Sequence, residues 1–316
     1  SSQGNMKGAV HFLMMNSDGT VKSTKKIVDG DDNAPVLGYS DYFGQSLSAG
    51  DFNEDGTIDL VVGTMEYVTD SSRGAVHLLF MGSTRLYVDV DSPAGSSGDG
   101  DSWETAFNSL DTANSIADAR NSDADPYNDI QEIWIADGVY TPDTAVSTLT
   151  GDRNYSFQPT SNVLLVGGFQ GTETSKDNRS RLADGSLEFE TILSGDRLQN
   201  DSEGDVASKI DNSQSVIFLY GAGNFRLEGM TIEGGYADGA YTSDSSLESA
   251  SSGAGMFAFG TNVSLREVNF RDNYALGHGG ALRSRSSTVE IHDSRFKENR
   301  ADKKGGGINS ASDGIA

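Results

Sequence analysis

The chain has 316 residues, long enough for two domains and a sizeable core. Its 23 basic and 47 acidic residues give a net charge of −24, which argues against nucleic acid as a partner, because neutralising phosphates needs clustered Lys and Arg. It has no cysteine, which removes disulfides and thiolate metal sites, and no apolar run approaches the roughly 18 residues of a membrane span.

The sequence opens at Ser1 without a signal peptide, so a secreted form would be mature or trimmed. Glycine is abundant at 38 residues and proline scarce at 5. Ser, Asp, Asn and Thr crowd between short apolar runs, the punctuation of a β-rich protein with tight turns. Residues 8–17, GAVHFLMMNS, recur as 74–83, GAVHLLFMGS, at an offset of 66. Strand, loop, strand, turn, strand at such a period predicts a four-stranded propeller blade. His11 and His77 fall at matched positions and read as structural.

Between the two copies lies DFNEDGTID. Asp51, Asn53, Asp55 and Asp59 occupy positions 1, 3, 5 and 9 of a loop, Gly56 position 6, and Thr57 can offer its backbone carbonyl from position 7. Hard oxygen donors at this spacing suit Ca²⁺, and the glycine permits the sharp turn. Val62 stands where a helical calcium hand would carry Glu, and LVVG reads as a strand, so this is a β-hairpin calcium loop. Binding there is expected to be structural, joining several carboxylates around one ion. The acidic clusters at 29–33, 89–92 and 98–102 are weaker candidates for further cation sites and read first as solvated turns.

The stretch FGQSLSAGDFNEDGTIDLVVG with the following GAVHLLF closely resembles the FG-GAP repeat of integrin α-type propellers, over residues 8–83. That resemblance implies an extracellular or cell-surface setting and an adhesive role. Such propellers have about seven blades, and little more than one is present here. A lone blade leaves both faces uncovered, so both ends of the chain are expected to continue a longer repeat architecture or to be completed by neighbouring molecules.

Residues 85–91 and 132–142 read as strands, as do 162–169 and 189–196. Between them, Trp103, Ala106, Phe107, Leu110, Ala113, Ile116 and Ala117 recur at helical spacing, which predicts a capping helix over about 102–120 with Ser102 as N-cap. Further on, the chain superposes on itself at an offset of 26. Gly253, Gly279 and Gly305 align, as do Met256, Leu282 and Ile308, Phe270 and Phe296, and Asn273 and Asn299. Phe225 and Leu227 precede Val263 and Leu265 by 38, an earlier copy with an insertion. Within each copy apolar residues alternate, and the phase resets at Glu267 as at a corner.

Short strands with corners, repeated every 26 residues or so, predict the coils of a parallel β-helix. Phe270 and Phe296 would form an internal ladder, with Asn273 and Asn299 bridging coils at a corner. An antiparallel sandwich with coincidental spacing is the alternative. The GGAL, FRDN and FKEN segments resemble the GGA(I/L/V) and FxxN repeats of polymorphic membrane proteins, and residues from 85 onward resemble pectin-lyase-like right-handed β-helices. The expected fold is therefore all-β: an FG-GAP-type segment over 1–84, then a right-handed parallel β-helix over 85–316.

Asn154, Asn178, Asn200 and Asn262 begin Asn-x-Ser/Thr triplets, glycan acceptors in a eukaryotic secreted protein. The chain carries no nucleophile motif, phosphate loop or dinucleotide fingerprint. Arg266, Asn269, His292, Asp293 and Arg295 lie on one outer face, with no carboxylate pair converging on a basic residue, and read as solvated; His278 sits in a glycine-rich turn. The function expected is a Ca²⁺-binding structural or adhesive protein that self-associates head to tail into a filament, is part of a large adhesin, or binds cell-surface glycans or proteins. The alternative is a polysaccharide lyase-like enzyme.

Overall fold

The computed structural model describes residues 6–15, 19–29, 35–50, 52, 58–68, 71–79, 84–123, 128–146, 153–202, 206–239 and 250–311. The chain divides into two compact units, Ser1–Ser83 and Thr84–Ala316.

In the first unit β1 (Val10–Met15) and β2 (Val21–Ile27) form an antiparallel hairpin. Strands β3 (Ser46–Gly50), β4 (Asp59–Val68) and β5 (Ser71–Leu79) form a three-stranded antiparallel sheet in that order. Val10, Leu37, Phe43, Val62 and Leu79 make one small core. Among the described residues, the strands of this unit form a hairpin and a three-stranded sheet, where the 66-residue period predicts one four-stranded blade. The two GAVH copies fall on β1 and β5, which lie in different sheets. The reason is local: each copy pairs with a strand adjacent in sequence, and short loops cost the least closure entropy.

The second unit starts with β6 (Arg85–Val88), α1 (Leu110–Ser122), β7 (Glu132–Ala136), β8 (Gly138–Tyr140), β9 (Leu164–Phe169) and β10 (Thr191–Ser194). Then follow β11 (Ile217–Tyr220), β12 (Asn224–Glu228), β13 (Met230–Glu233), β14 (Tyr236–Ala237) and β15 (Met256–Phe259). Next come β16 (Asn262–Arg266), β17 (Asn269–Arg271), β18 (Tyr274–Ala275) and β19 (Leu282–Arg285). Last are β20 (Thr288–His292), β21 (Arg295–Lys297), β22 (Arg300–Ala301) and β23 (Ile308–Ala311).

These strands make four sheets, ordered β6-β7-β9-β12-β16-β20, β8-β10-β13-β17-β21, β14-β18-β22 and β11-β15-β19-β23. From β12 onward the chain visits the same four sheets in the same order three times, always pairing in parallel. Phe225 pairs with Val263 and Val263 with Val289; Met256 pairs with Leu282 and Leu282 with Ile308. Each turn of chain therefore hydrogen-bonds to the turns on either side, because no turn can bury its inner face alone.

Inside, like residues stack. Val263, Leu265, Val268 and Phe270 are fully or almost fully buried, and the Phe270 and Phe296 rings stack at 5.0 Å with 4° between their planes. Where the phase resets, the backbone turns left-handed at stacked positions: Gly229, Glu267 and Asp293 at φ 70°, 51° and 51°. A second corner repeats this at Gly234, Asp272 and Glu298.

The Asn corner holds neighbouring turns together. Asn273 Nδ2 donates to the carbonyl of Ile232 at 2.9 Å, and its Oδ1 accepts from Gly235 N at 3.0 Å. Asn299 Nδ2 donates in turn to the carbonyl of Phe270 at 2.8 Å, while its Oδ1 accepts from Asn273 N at 3.2 Å. The nearby glycine is also required: Gly279 has φ +63°, and a Cβ there would run into the carbonyl of Leu282.

The helix differs from expectation. It begins at Leu110, with Ser109 as N-cap accepting from Thr112 N at 3.2 Å, rather than at about 102 with Ser102 as cap. The preceding residues do something a helix could not. Phe107 exchanges backbone hydrogen bonds with the edge strand β6, through Phe107 N to Tyr87 O at 3.0 Å and Asp89 N to Phe107 O at 2.8 Å. Trp103 packs against Tyr87 and Phe169, at ring separations of 4.8 and 5.5 Å. An otherwise open strand edge is thereby covered, while Leu110, Ala113 and Ala117 join the main core with Leu86 and Ile133.

Replacing Asn273 with Ala would leave the buried Gly235 N–H and Ile232 carbonyl without their side-chain partner. We expect a loss of about 2–4 kcal/mol, measured by denaturant unfolding of the full chain. A change below about 0.5 kcal/mol would show that the corner does not hold the turns.

Candidate functional site

The expected calcium loop is closed by the last residue pair of the β3–β4 ladder, Gly50 opposite Asp59. Of its proposed ligands, Asp51, Asn53, Asp55 and Thr57 lie outside the described residues. Asp59 opens β4 and is fully buried, and its Oδ2 accepts from Phe52 N at 3.0 Å. A carboxylate is thus held at the base of the loop and reaches back to its first turn. Among the described residues no group of three or more His, Asp or Glu is gathered for a metal.

The weaker acidic clusters use their carboxylates in local contacts. Asp29 ion-pairs with Lys7 and accepts from Leu37 N at 2.8 Å, and these contacts hold its carboxyl below the ordinary range. Residues 30–33 of that cluster lie outside the described residues. Asp89 accepts from Asp91 N at 2.9 Å, and Asp99 from Asp101 N at 3.2 Å, as ordinary turn-forming bonds.

The four sequons divide by setting. Asn178, Asn200 and Asn262 are exposed, whereas Asn154 is half-buried. Asn262 belongs to a side-chain ladder: its Nδ2 donates to Asn224 Oδ1, and Asn224 Nδ2 donates to Asn162 Oδ1, each at 3.0 Å.

On the outer face of the second unit, Arg266 pairs in register with His292, and Asn269 with Arg295. Here the structure corrects the expectation of no converging carboxylates. Glu190 contacts the Arg271 guanidinium at 2.8 Å and Glu233 bonds it from the adjacent strand. Arg181 is held by both oxygens of Glu267 at 2.7 and 3.0 Å. Glu190, Glu267 and Arg271 border a groove of about 670 Å³ that also includes Asp293, Arg295 and Lys297. The ladder offset of 38 sets Glu233 beside Arg271, a signal present in the sequence, whereas Glu190 arrives from a loop and has none. Burial lowers the Arg271 pKa, but Glu233 and Glu190 outweigh it and hold the guanidinium above its ordinary value.

The His77 ring packs edge-on to Phe43 at 5.8 Å, His11 pairs with Lys26 across the hairpin, and the His278 backbone bridges to Lys304.

A buried carboxyl that the sequence reading did not single out lies on α1. Asp111 is 6% exposed, and its Oδ2 accepts from Asp143 N at 2.7 Å and Thr144 N at 2.9 Å. Burial, reinforced by the hydrogen bond and charge of Asp143, pushes its pKa up to about 7. The two carboxyls lie 32 residues apart in sequence, so only folding brings them together.

Residues 43–79 match the model of the FG-GAP repeat family. No curated protein and no solved structure matches the chain. Among the described residues, no helix is long and apolar enough to cross a membrane.

The Asp111 pKa gives a signed prediction. A carboxyl raised in the folded state is bound to its proton more tightly there than in the unfolded chain, so stability falls as pH rises from about 4 to about 7. Asp111→Asn keeps an acceptor for the Asp143 and Thr144 amides but cannot ionise. Its unfolding free energy should exceed that of the parent above pH 7 by an amount on the order of a few kcal/mol, and the difference should shrink toward pH 4. An equal offset at both pH values would contradict the assigned ionisation.

Proposed function

We propose that this chain is an extracellular, Ca²⁺-binding structural or adhesive protein, in which an FG-GAP-type segment precedes a right-handed parallel β-helix. The observation that carries the first half is the FG-GAP match over 43–79, which spans the acidic loop and the buried Asp59. FG-GAP repeats occur in extracellular or surface proteins. Asp51, Asn53, Asp55, Asp59 and the Thr57 carbonyl would hold the ion and so fix the loop between β3 and β4.

The second half rests on the parallel ladders and on the three repeated visits to four sheets. The right hand follows the strong preference of parallel crossovers. A rod of this kind offers its outer faces for lateral contacts. Head-to-tail association of copies into a filament would propagate without closing. Asn178, Asn200 and Asn262 are exposed enough to carry glycans, although a glycan on Asn262 would replace its bond to Asn224.

The groove around Arg271 supports a second reading, a polysaccharide lyase-like enzyme. Its shape favours that reading and its charges oppose it. Proton abstraction needs a basic group that releases its proton near the working pH, and Arg271 is held in the charged form by two carboxylates. Release of unsaturated sugars from acidic polysaccharides, lost in Arg271→Ala, would establish the enzyme instead.

Calcium titration of the full chain tests the main reading. Ca²⁺ at about 100 times its dissociation constant should stabilise the first unit by roughly 2.7 kcal/mol, and Asp55→Ala should abolish the effect. No calcium-dependent shift in melting, or an unchanged shift in Asp55→Ala, would overturn it.

A further inference from the structure

A cavity of about 310 Å³ lies beside α1, lined by Asp111, Asn114 and Asp118 of the helix together with Gln158, Thr160 and Phe225. Asn114 is 5% exposed, yet neither its Oδ1 nor its Nδ2 has a hydrogen-bond partner. The Thr160 hydroxyl donates to the backbone carbonyl of Asn114 at 2.9 Å, not to its side-chain amide. Asp111 Oδ2 is likewise committed to the amides of Asp143 and Thr144.

A buried polar group without a partner costs roughly 1–3 kcal/mol, and here the donor and the acceptor of one amide are both orphaned. At this helix position Ala or Leu would fold at least as well. A single water occupies only about 30 Å³, far less than this space. The cavity falls at the lower end of the range for small-molecule sites, about 300–1,000 Å³.

We infer that this cavity is a binding site for one neutral pyranose ring, with the Asn114 amide bonding two adjacent ring hydroxyls. The choice of ligand follows from what the amide lacks. A bare cation would satisfy Oδ1 and leave Nδ2 orphaned. An anion would satisfy Nδ2 and meet the carboxyls of Asp111 and Asp118. A peptide group presents its N–H and C=O on opposite edges. Neighbouring hydroxyls present a donor and an acceptor on one edge, as the amide requires. Gln158 and Asp118 are exposed at the rim and can bond further hydroxyls, and Phe225 offers an apolar wall to the C–H face of the ring. The raised pKa of Asp111 lets its carboxyl carry a proton part of the time near neutrality, which suits a hydroxyl as donor or acceptor.

This site is independent of the calcium loop, and its test can fail while the proposed function stands. The full chain, ¹⁵N-labelled and kept in Ca²⁺, is titrated with the methyl pyranosides of glucose, galactose and mannose, each alone. We expect amide shifts confined to residues 111–118 and 158–161 with at least one of them. Asn114→Leu should weaken binding about tenfold or more while melting no lower than the parent. Gln158→Ala, a surface change, should weaken it about threefold with unchanged melting and serves if Asn114→Leu fails to fold. Three results would overturn the assignment: no shifts with any of the three sugars, binding undiminished in both variants, or the same amides shifted by Ca²⁺ alone in a calcium-free sample.

Discussion

The hydrogen bonding of each turn of chain to the turn beneath it in parallel register is the constraint on which the second unit depends. A strand of two to six residues has too little apolar surface to hold itself. Stacked three to six deep, such strands bury a continuous interior running from Leu86 to Leu282. Register has to be kept at every step, because a slip of one residue would turn Val263 and Leu265 outward. The corner asparagines guard against that slip, since Asn273 and Asn299 each find their backbone partners in the preceding turn only when the stack is in step.

Stacking like over like suits the interior and would be costly outside, where equal charges would lie about 4.8 Å apart. Two outer positions avoid this by changing sign between turns. Glu228 lies beside Arg266, and Glu233 beside Arg271. Where Arg271 meets Lys297 in register, Glu190 and Glu233 take the arginine and Glu298 the lysine. A chain of net charge −24 thus spends many of its few cations on ladder faces.

The 26-residue offset was legible because stacking demands equal turns, and each turn writes the same pattern again. The 38-residue offset was legible for the complementary reason: extra residues fit between β14 and β15 without moving the strands they join. The start of α1 was hidden, because Trp103, Ala106 and Phe107 share the helix's apolar spacing while serving to cover a strand edge. The split of the first unit into two sheets was hidden too, since similar sequences in β1 and β5 say nothing about which neighbour each will pair with. Of the candidate calcium loop, the spacing of its donors is legible in sequence, and the structure adds the burial of Asp59 at its base. The Glu190–Arg271 contact and the Asp111–Asp143 pair arise from loops meeting sheets, and no periodicity records such meetings.

The absence of cysteine makes the central register directly measurable. Arg266 and His292 are exposed, outward-facing partners on β16 and β20, so cysteines placed at both should lie within disulfide reach. Mild oxidation should link that pair nearly completely while the same treatment leaves a pair at Arg266 and Glu290 reduced. Equal linking of both pairs, or linking only of the shifted one, would contradict the in-register parallel stack.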